Sequence, residues 1–189
     1  MKALVGAAGE CQDVVIPAYT HLQRAQPVAF AHHLLAYVEM LERDRRRLLW
    51  AAEQADSCPL GSGACGGNQF GINREKLQEE LGFSSLTANS LDGVSDRDFA
   101  CDFLYASSML MVHLSRFSED IILWTTSEFG FVRLDDEVTS GSSMLPQKNN
   151  PEACELARGK TGRVVGHLIG LLPCLKGLPL TYNKDHRED

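Results

Sequence analysis

The fold of this chain is decided by the stretch from Phe99 to Trp124, FACDFLYASSMLMVHLSRFSEDIILW. Its apolar side chains recur in steps of three and four residues, a spacing that places them on one face of an α-helix. They are Phe99, Phe103, Ala106, Leu110, Leu114, Phe117, Ile121 and Trp124. A stripe of this length predicts a long bundle helix, with Ser95 as its N-cap and an end near Gly130.

Two more long helices are predicted on either side of this stretch. The first begins after Pro27 with an apolar stripe of its own, and it ends near Cys58-Pro59, where proline interrupts it. The second runs from Pro151 to about Leu172. Three glycines, Gly162, Gly166 and Gly170, lie on one of its faces. Because each costs about 1 kcal/mol against alanine in a helix, we expect a neighbouring helix to approach them closely.

A short helix is predicted over residues 74–81, and Gly82 terminates it. Val14-Val15-Ile16 is too short to indicate a strand and is assigned to the end of a preceding segment or a loop. The patterns therefore predict an all-α fold, an elongated bundle of long helices, with residues 1–189 forming one domain.

Composition excludes several classes of function. The chain has 189 residues, 44% of them hydrophobic and 23% charged, and a formal charge of 18 − 25 = −7. This balance is that of a soluble globular protein and does not suggest a nucleic-acid partner. The basic cluster Arg43-Asp44-Arg45-Arg46-Arg47 is interpreted as a solvated helix face. Without a membrane-spanning or secretory segment, the chain is expected to be cytoplasmic.

The cysteines and histidines do not form a metal-binding pattern. Six cysteines are scattered without C-x-x-C spacing, so buried free thiols are expected rather than disulfides. His32 and His33 are adjacent and point to different faces of a helix, and no metal site is predicted. Together with His113 and His167 they are interpreted as structural.

The loop Gly141-Ser142-Ser143-Met144-Leu145-Pro146-Gln147-Lys148-Asn149-Asn150-Pro151 has the features of a binding site. It leads into a helix, with Asn150 as a possible N-cap and Pro151 at the first helical position. Free backbone N–H groups at a helix start favour an anion, and Lys148 adds a full charge. A substrate with a carboxylate would suit this loop. A capped helix after a flexible surface loop is an equally weighted alternative on these grounds.

The same loop resembles the shared motif of the fumarase/aspartase superfamily, Gly-Ser-Ser-x-x-Pro-x-Lys-x-Asn-Pro, and matches all seven of its specified positions. Residues 19–27 and 178–185 are similar to blocks of argininosuccinate lyase and its lens relative delta-crystallin. The resemblance implies a carbon–nitrogen lyase of arginine biosynthesis. It would cleave argininosuccinate to arginine and fumarate by β-elimination, with no metal or organic cofactor.

The resemblance implies three catalytic residues. Ser142 corresponds to the family's serine on a mobile loop, Lys148 would stabilise the carbanion, and His21 matches the family histidine. A serine hydroxyl is a poor base unless positive charge and loop N–H groups activate it. Histidine side chains change charge near neutral pH and can serve as acid or base. Serine as base with histidine as acid, and the reverse, both stay open.

Four further positions are implied to bind substrate: Thr20, Asn150, Tyr182 and Lys184. Asn150 can cap the helix and bind substrate at once. After Asp185 the chain departs from the family pattern Lys-Asp-Leu-Gln-Glu-Asp-Lys, and Arg187 stands at the family's glutamine. An extra cation there would repel a guanidinium-bearing substrate, which bears on substrate choice and on activity.

The resemblance places residues 1–189 in the central helical-bundle domain, without the family's N-terminal domain and C-terminal part. Family sites are assembled from three subunits of a homotetramer, and this chain holds two of the three blocks. We therefore expect self-association and weak or absent catalysis by the isolated chain. Two alternatives remain, a non-catalytic structural or fragment protein like delta-crystallin, and a sister lyase acting on adenylosuccinate or fumarate. The blocks at residues 20–27 and 182–185 disfavour the sister lyase.

Overall fold

A computed structural model describes residues 1–187, and its three long helices lie where the sequence predicted them. The helices are α1 (Lys2–Glu10), α2 (Phe30–Gln54), α3 (Arg74–Leu81), α4 (Ser90–Ser95), α5 (Asp98–Thr125) and α6 (Glu152–Leu175). The strands are β1 (Val15–Thr20), β2 (Gln23–Ala29), β3 (Ser57–Cys58), β4 (Ser85–Leu86), β5 (Ser140–Gly141) and β6 (Asn149–Asn150). Two 3-10 helices span Asp136–Val138 and Lys184–Arg187. Over residues 1–187, no helix combines the length and apolarity needed to cross a membrane.

The chain divides into two compact units. Unit 1 comprises Met1–Arg46 and Met109–Arg163, and unit 2 comprises Arg47–Ser108 and Val164–Asp189. Both units therefore draw on all three long helices. The fold is the all-α class that the helical stripes predicted.

The core of unit 1 forms where α1, α2 and α5 meet. Ala8, Leu34 and Trp124 are each less than a tenth exposed and cluster together. The Phe30 ring lies edge-on to Trp124 at 5.2 Å, and the His33 ring does so at 4.8 Å. Aromatic pairs in this geometry add to the stability that burial provides.

Buried polar contacts align the long helices of unit 1. His113 Nδ1 lies 2.6 Å from Asp44 Oδ2, and Asp44 is 1% exposed. On α6, the Thr161 hydroxyl donates to the Met111 carbonyl at 3.1 Å. The sequence predicted that the basic cluster is a solvated helix face, and this prediction is wrong at Asp44, which is buried. Its exposed neighbours Arg45 and Arg46 pair with Glu42, but Asp44 points inward because His113 satisfies its charge.

A β-hairpin, absent from the sequence-based prediction, connects α1 to α2. β1 pairs antiparallel with β2 from Val15↔Ala29 to Thr20↔Gln23, with a bulge where the register shifts between Pro17 and Tyr19. Prolines on both strands disguise the strand pattern, and they are tolerated because each strand of a two-stranded sheet is an edge. The assignment of Val14-Val15-Ile16 to the end of a preceding segment or a loop was therefore wrong at Val15 and Ile16, the first two residues of β1.

Several helix boundaries also differ from the prediction. Ser95 ends α4 instead of capping α5, and the Asp96 side chain accepts the Asp98 N–H at 2.7 Å in its place. On α5, Phe99 and Phe103 are exposed, so the core-facing part of the stripe begins at Ala106. α6 begins at Glu152, because the Pro151 carbonyl accepts the first intrahelical hydrogen bond.

The glycine face of α6 is open within residues 1–187. A Cβ atom added at Gly162, Gly166 or Gly170 would meet no atom within 4 Å. The expected close approach of a neighbouring helix is therefore not made by the described part of this chain.

Unit 2 is organised around a glycine-rich loop. Arg74 donates from its Nε to the Leu60 carbonyl at 3.0 Å and from an Nη to the Thr87 carbonyl at 2.9 Å. Gly61 has a φ of 92°, and a Cβ atom there would lie 2.8 Å from the Arg74 side chain.

All six cysteines are free thiols, but only Cys58 is buried, so the expectation of buried thiols holds at that position alone.

Replacing Trp124 with alanine should lower the free energy of unfolding by about 3–5 kcal/mol, because it removes the largest side chain of the unit 1 core and leaves a cavity. Urea unfolding followed by circular dichroism measures this. Trp50→Ala is the matched control, since Trp50 is 51% exposed and should cost less than about 1 kcal/mol. Equal losses in the two variants would contradict the assignment of the core.

Candidate active site

His21 lies at the tip of the β1–β2 hairpin. His21 and Leu22 form a two-residue loop with φ values of 54° and 56°, the signature of a type I′ turn. Each non-glycine residue held in this region costs about 1–2 kcal/mol. Tyr19, two residues before His21, holds the tip of the hairpin, because its ring lies 5.2 Å from Phe129 in an edge-on contact. The turn therefore presents an exposed imidazole and an exposed Thr20 side by side.

Beneath this tip is a groove of about 370 Å³ that His21 shares with a partly buried polar network. Asp120 is the centre of the network, accepting at 2.6 Å from the Tyr37 hydroxyl and lying 2.7 Å from His33 Nε2. Burial alone would raise the pKa of Asp120, but the hydrogen bonds from His33 and Tyr37 outweigh burial and hold the pKa below its ordinary value. Burial and then the bond to Asp120 raise the pKa of Tyr37.

Because of the Asp120 network, the free energy of unfolding should depend on pH in the acidic range. Because its folded pKa is lowered, Asp120 stabilises the fold above its unfolded pKa, and this contribution is lost as pH falls through the folded value. As the pH falls from about 5 to about 2, the free energy of unfolding should decrease less for Asp120→Asn than for the wild type. Urea titrations at both ends of that range measure the difference. Asp13→Asn, an exposed control, should keep the wild-type dependence, and an unchanged slope in Asp120→Asn would contradict the prediction.

Ser142 lies half-buried on a loop that closes on itself. β5 and β6 pair through Ser140↔Asn150 and Gly141↔Asn149, and the Ser142 N–H donates to the Lys148 carbonyl at 3.2 Å. The Ser142 Oγ accepts from the backbone N–H groups of Met144 and Leu145 at 3.3 and 3.2 Å. Two N–H dipoles that converge on one hydroxyl oxygen stabilise negative charge on it.

Lys148 and Asn150 form the second half of this loop. The exposed Lys148 Nζ donates to the Asn150 Oδ1 at 2.5 Å. The sequence predicted that the Asn150 side chain caps the start of α6, but its oxygen contacts the Lys148 ammonium group instead. Its amide –NH₂ group can still donate to a carboxylate. The loop that the β5–β6 pairing closes in unit 1 therefore carries Ser142, Lys148 and Asn150.

Tyr182 and Lys184 lie in unit 2, on the segment that follows α6. Tyr182 is 52% exposed and its ring lies edge-on to the buried His186 at 5.6 Å. Thr181 anchors this segment, since its hydroxyl donates to the Ala64 carbonyl at 3.2 Å and its carbonyl accepts from the Ser95 hydroxyl at 3.3 Å. Arg187 is exposed at the end of the second 3-10 helix. Glu188 and Asp189, which match the family pattern again after His186 and Arg187, lie outside the described residues.

Sequence reasoning missed the network of His33, Tyr37 and Asp120, having left His33 as a structural residue. A signal was available, because Asp120 interrupts an apolar helix face between Phe117 and Ile121. Among the described residues, the lining of the His21 groove does not include the Ser142 loop. The hairpin and the loop are thus two separate parts of a candidate site in unit 1.

Comparison with known proteins identifies the family. The family model described as Lyase matches residues 1–166. The argininosuccinate lyase of Bacillus licheniformis is 60% identical over 186 residues, 98% of this chain and 40% of the relative. That of Synechococcus sp. (strain CC9605) is 59% identical over 187 residues, 99% of this chain and 40% of the relative. A crystal structure of EDDS lyase in complex with formate superposes with a TM-score of 0.94 at 32% identity, covering 97% of this chain and 37% of that one.

The chain therefore belongs to the lyase family defined by that model. The resemblance to argininosuccinate lyase drawn from the three sequence blocks is confirmed by these relatives. The chain spans about two-fifths of the length of the curated relatives it matches.

Proposed function

We propose that this chain carries part of the active site of an argininosuccinate lyase, which cleaves argininosuccinate to arginine and fumarate in arginine biosynthesis. The observation that carries the proposal is the Ser142 loop, where two backbone N–H groups meet the serine oxygen beside Lys148. The identity of 59–60% to argininosuccinate lyases over nearly the whole chain supports the same substrate.

The elimination needs a base for the proton beside a carboxylate, a cation for the resulting aci-carboxylate, and an acid for the departing nitrogen. Ser142 and His21 divide the roles of base and acid, in either direction. Lys148 stabilises the carbanion, because its ammonium is exposed at the end of the loop. The two N–H groups on the Ser142 oxygen lower the cost of deprotonating it, which favours serine as the base.

Four residues are proposed to hold the substrate. Thr20 offers a hydroxyl next to His21 on the same turn. Asn150 offers its –NH₂ group to a carboxylate, because Lys148 already occupies its oxygen. Tyr182 and Lys184 are exposed on the anchored segment of unit 2 and offer a phenol and an ammonium.

We also propose that the chain works in a cytoplasmic homotetramer, as its family does, in which other copies complete each site. Apolar side chains on α5 and α6 support self-association, since Phe103 and Ile169 are 57% and 61% exposed. The open glycine face of α6 is where another helix can approach.

The test is a chimera in which this chain replaces the aligned segment of the Bacillus licheniformis argininosuccinate lyase. Fumarate absorbance should show rapid release from argininosuccinate, little from adenylosuccinate, and slow or no release by the isolated chain. Faster release from adenylosuccinate would favour a sister lyase, and Arg187 is the feature that could cause it. An inactive but folded chimera would favour a non-catalytic protein like delta-crystallin. Near-normal turnover by the chain alone would contradict a shared site.

A further inference from the structure

The segment that follows α6 carries two of the proposed substrate-binding side chains, yet burial contributes little to its position. Leu180 and Tyr182 are 68% and 52% exposed, and residues 176–183 belong to no helix or strand. A segment with few buried apolar contacts opens easily unless hydrogen bonds hold it. The position of Tyr182 therefore depends on the hydrogen bonds of its neighbours.

Thr181 makes two such hydrogen bonds, to two different parts of unit 2. Its hydroxyl donates to the Ala64 carbonyl of the glycine-rich loop at 3.2 Å. Its carbonyl accepts from the hydroxyl of Ser95, the last residue of α4, at 3.3 Å. Because Thr181 directly precedes Tyr182, these two bonds fix the backbone from which the phenol projects.

The glycine-rich loop, residues 61–71, can anchor Thr181 only if the loop itself is fixed. Five of its eleven residues are glycine, the residue that loses most conformational freedom on folding. Arg74 supplies the fixed point. Its Nε donates to the Leu60 carbonyl at 3.0 Å, and its Nη2 donates to the Thr87 carbonyl and hydroxyl at 2.9 and 3.1 Å.

The acceptors of Arg74 indicate that it positions the main chain. Within residues 1–187 they are two main-chain carbonyls and one hydroxyl, without a carboxylate. The planar guanidinium holds its donors in a fixed arrangement, which a lysine ammonium cannot reproduce. α4 packs on the same point, since a Cβ atom at Gly93 would lie 2.8 Å from Thr87 Oγ1. Both partners of Thr181, the loop and α4, therefore depend on the contact between Arg74 and Thr87.

We infer that Arg74 and Thr181 are positioning residues for substrate binding. Arg74 fixes the glycine-rich loop, and the loop holds Thr181 through the Ala64 carbonyl. Thr181 in turn sets where Tyr182 and Lys184 meet the substrate. The inference rests on the proposed function, because it takes Tyr182 and Lys184 as groups that bind argininosuccinate.

The first test is steady-state fumarate release by the chimera with the Bacillus licheniformis relative. Thr181→Val replaces the donating hydroxyl with a methyl group of similar size. It should raise KM for argininosuccinate about 5-fold, while kcat stays within about twofold. Thr181→Ser keeps a hydroxyl and should return KM to within about twofold of the wild-type value. An unchanged KM in Thr181→Val, or no rescue by Thr181→Ser, would overturn the role of Thr181.

Thr161→Val is the matched control for this variant. The Thr161 hydroxyl also donates to a main-chain carbonyl, that of Met111 in unit 1, at 3.1 Å, and both threonines are half-buried. Thr161→Val should leave KM within about twofold, because no proposed substrate-binding residue adjoins it. An equal rise of KM in both variants would mean that any lost threonine hydroxyl has this effect, and would overturn the inference.

Arg74→Met tests whether the loop is the link. It keeps an unbranched side chain but removes all three donated bonds, so KM should rise about 10-fold. Because Arg74 acts through Thr181, the double variant Arg74→Met/Thr181→Val should raise KM no more than the larger single effect. Single effects that multiply in the double variant would show independent action and would overturn the link.

Amide hydrogen exchange in the chain itself decides the inference independently of activity. The His186 N–H donates to the Asn183 carbonyl at 3.2 Å within the anchored segment. Its exchange should be about 5-fold faster in Thr181→Val and in Arg74→Met, and unchanged in Thr161→Val. Unchanged exchange in the first two variants would overturn the inference even if the chimera is active. An inactive chimera with the expected exchange would contradict the proposed function and leave the anchoring by Thr181 supported.

Discussion

Ser142→Ala is expected to lower kcat for argininosuccinate cleavage by about 10²–10⁴-fold in the chimera with the Bacillus licheniformis relative. The substitution removes the hydroxyl oxygen on which the N–H groups of Met144 and Leu145 converge. KM should change little, because the β5–β6 pairing that positions the proposed substrate-binding residue Asn150 remains in place. Steady-state fumarate release measures both constants.

Ser143→Ala is the matched control, since it removes the same atom from the next residue of the loop. Ser143 is exposed, and its loss should cost less than about 10-fold in kcat. If the two variants lost activity equally, Ser142 would have no distinct role and the loop would act only through its conformation.

His21→Gln should lower kcat by a comparable factor, about 10²–10⁴-fold, because it removes the second proton-transfer group. His21 is exposed at the hairpin tip, so the variant should unfold at the same urea concentration as the wild type. Fumarate release by the chimera, compared with its unfolding in urea, separates an effect on the chemistry from an effect on folding.

The control for this variant is His32→Gln on α2, another exposed histidine of unit 1. It should retain activity within about twofold, because nothing in the resemblance or the geometry assigns His32 a role. An unchanged kcat in His21→Gln, or the same loss in His32→Gln, would contradict the placing of His21 in the reaction.

The helices were predictable because their signals are local. Apolar spacing along Phe99–Trp124 indicated α5, and Gly82, with a φ of 77°, terminates α3 where the sequence predicted. The hairpin was not predictable in this way. Its turn is His21-Leu22 where glycine or asparagine is usual, and prolines occupy both strands. Tertiary contacts such as that of Tyr19 with Phe129 hold this turn in place.

The site residues were predictable by motif, but their surroundings were not. The loop motif named Ser142 and Lys148, yet the pairing of β5 with β6 depends on a two-residue ladder too short to show in any periodicity. The partners Asp120 and His33 are 87 residues apart, so the sequence signals that Asp120 on its apolar helix face needs a partner but does not identify that partner. The same applies to Asp44 and His113, which are 69 residues apart.

The bulge between Pro17 and Tyr19 makes β2 one residue longer than β1 over the paired region. Successive side chains of a strand point to opposite faces, so the surplus residue on β2 changes the face that Gln23 and Arg24 take relative to Val28 and Ala29. Deleting Ala25 or Gln26 would remove this surplus residue and change the alignment of the two strands beside the turn that carries His21. The length of β2 therefore constrains the hairpin independently of the identity of the residues at its tip.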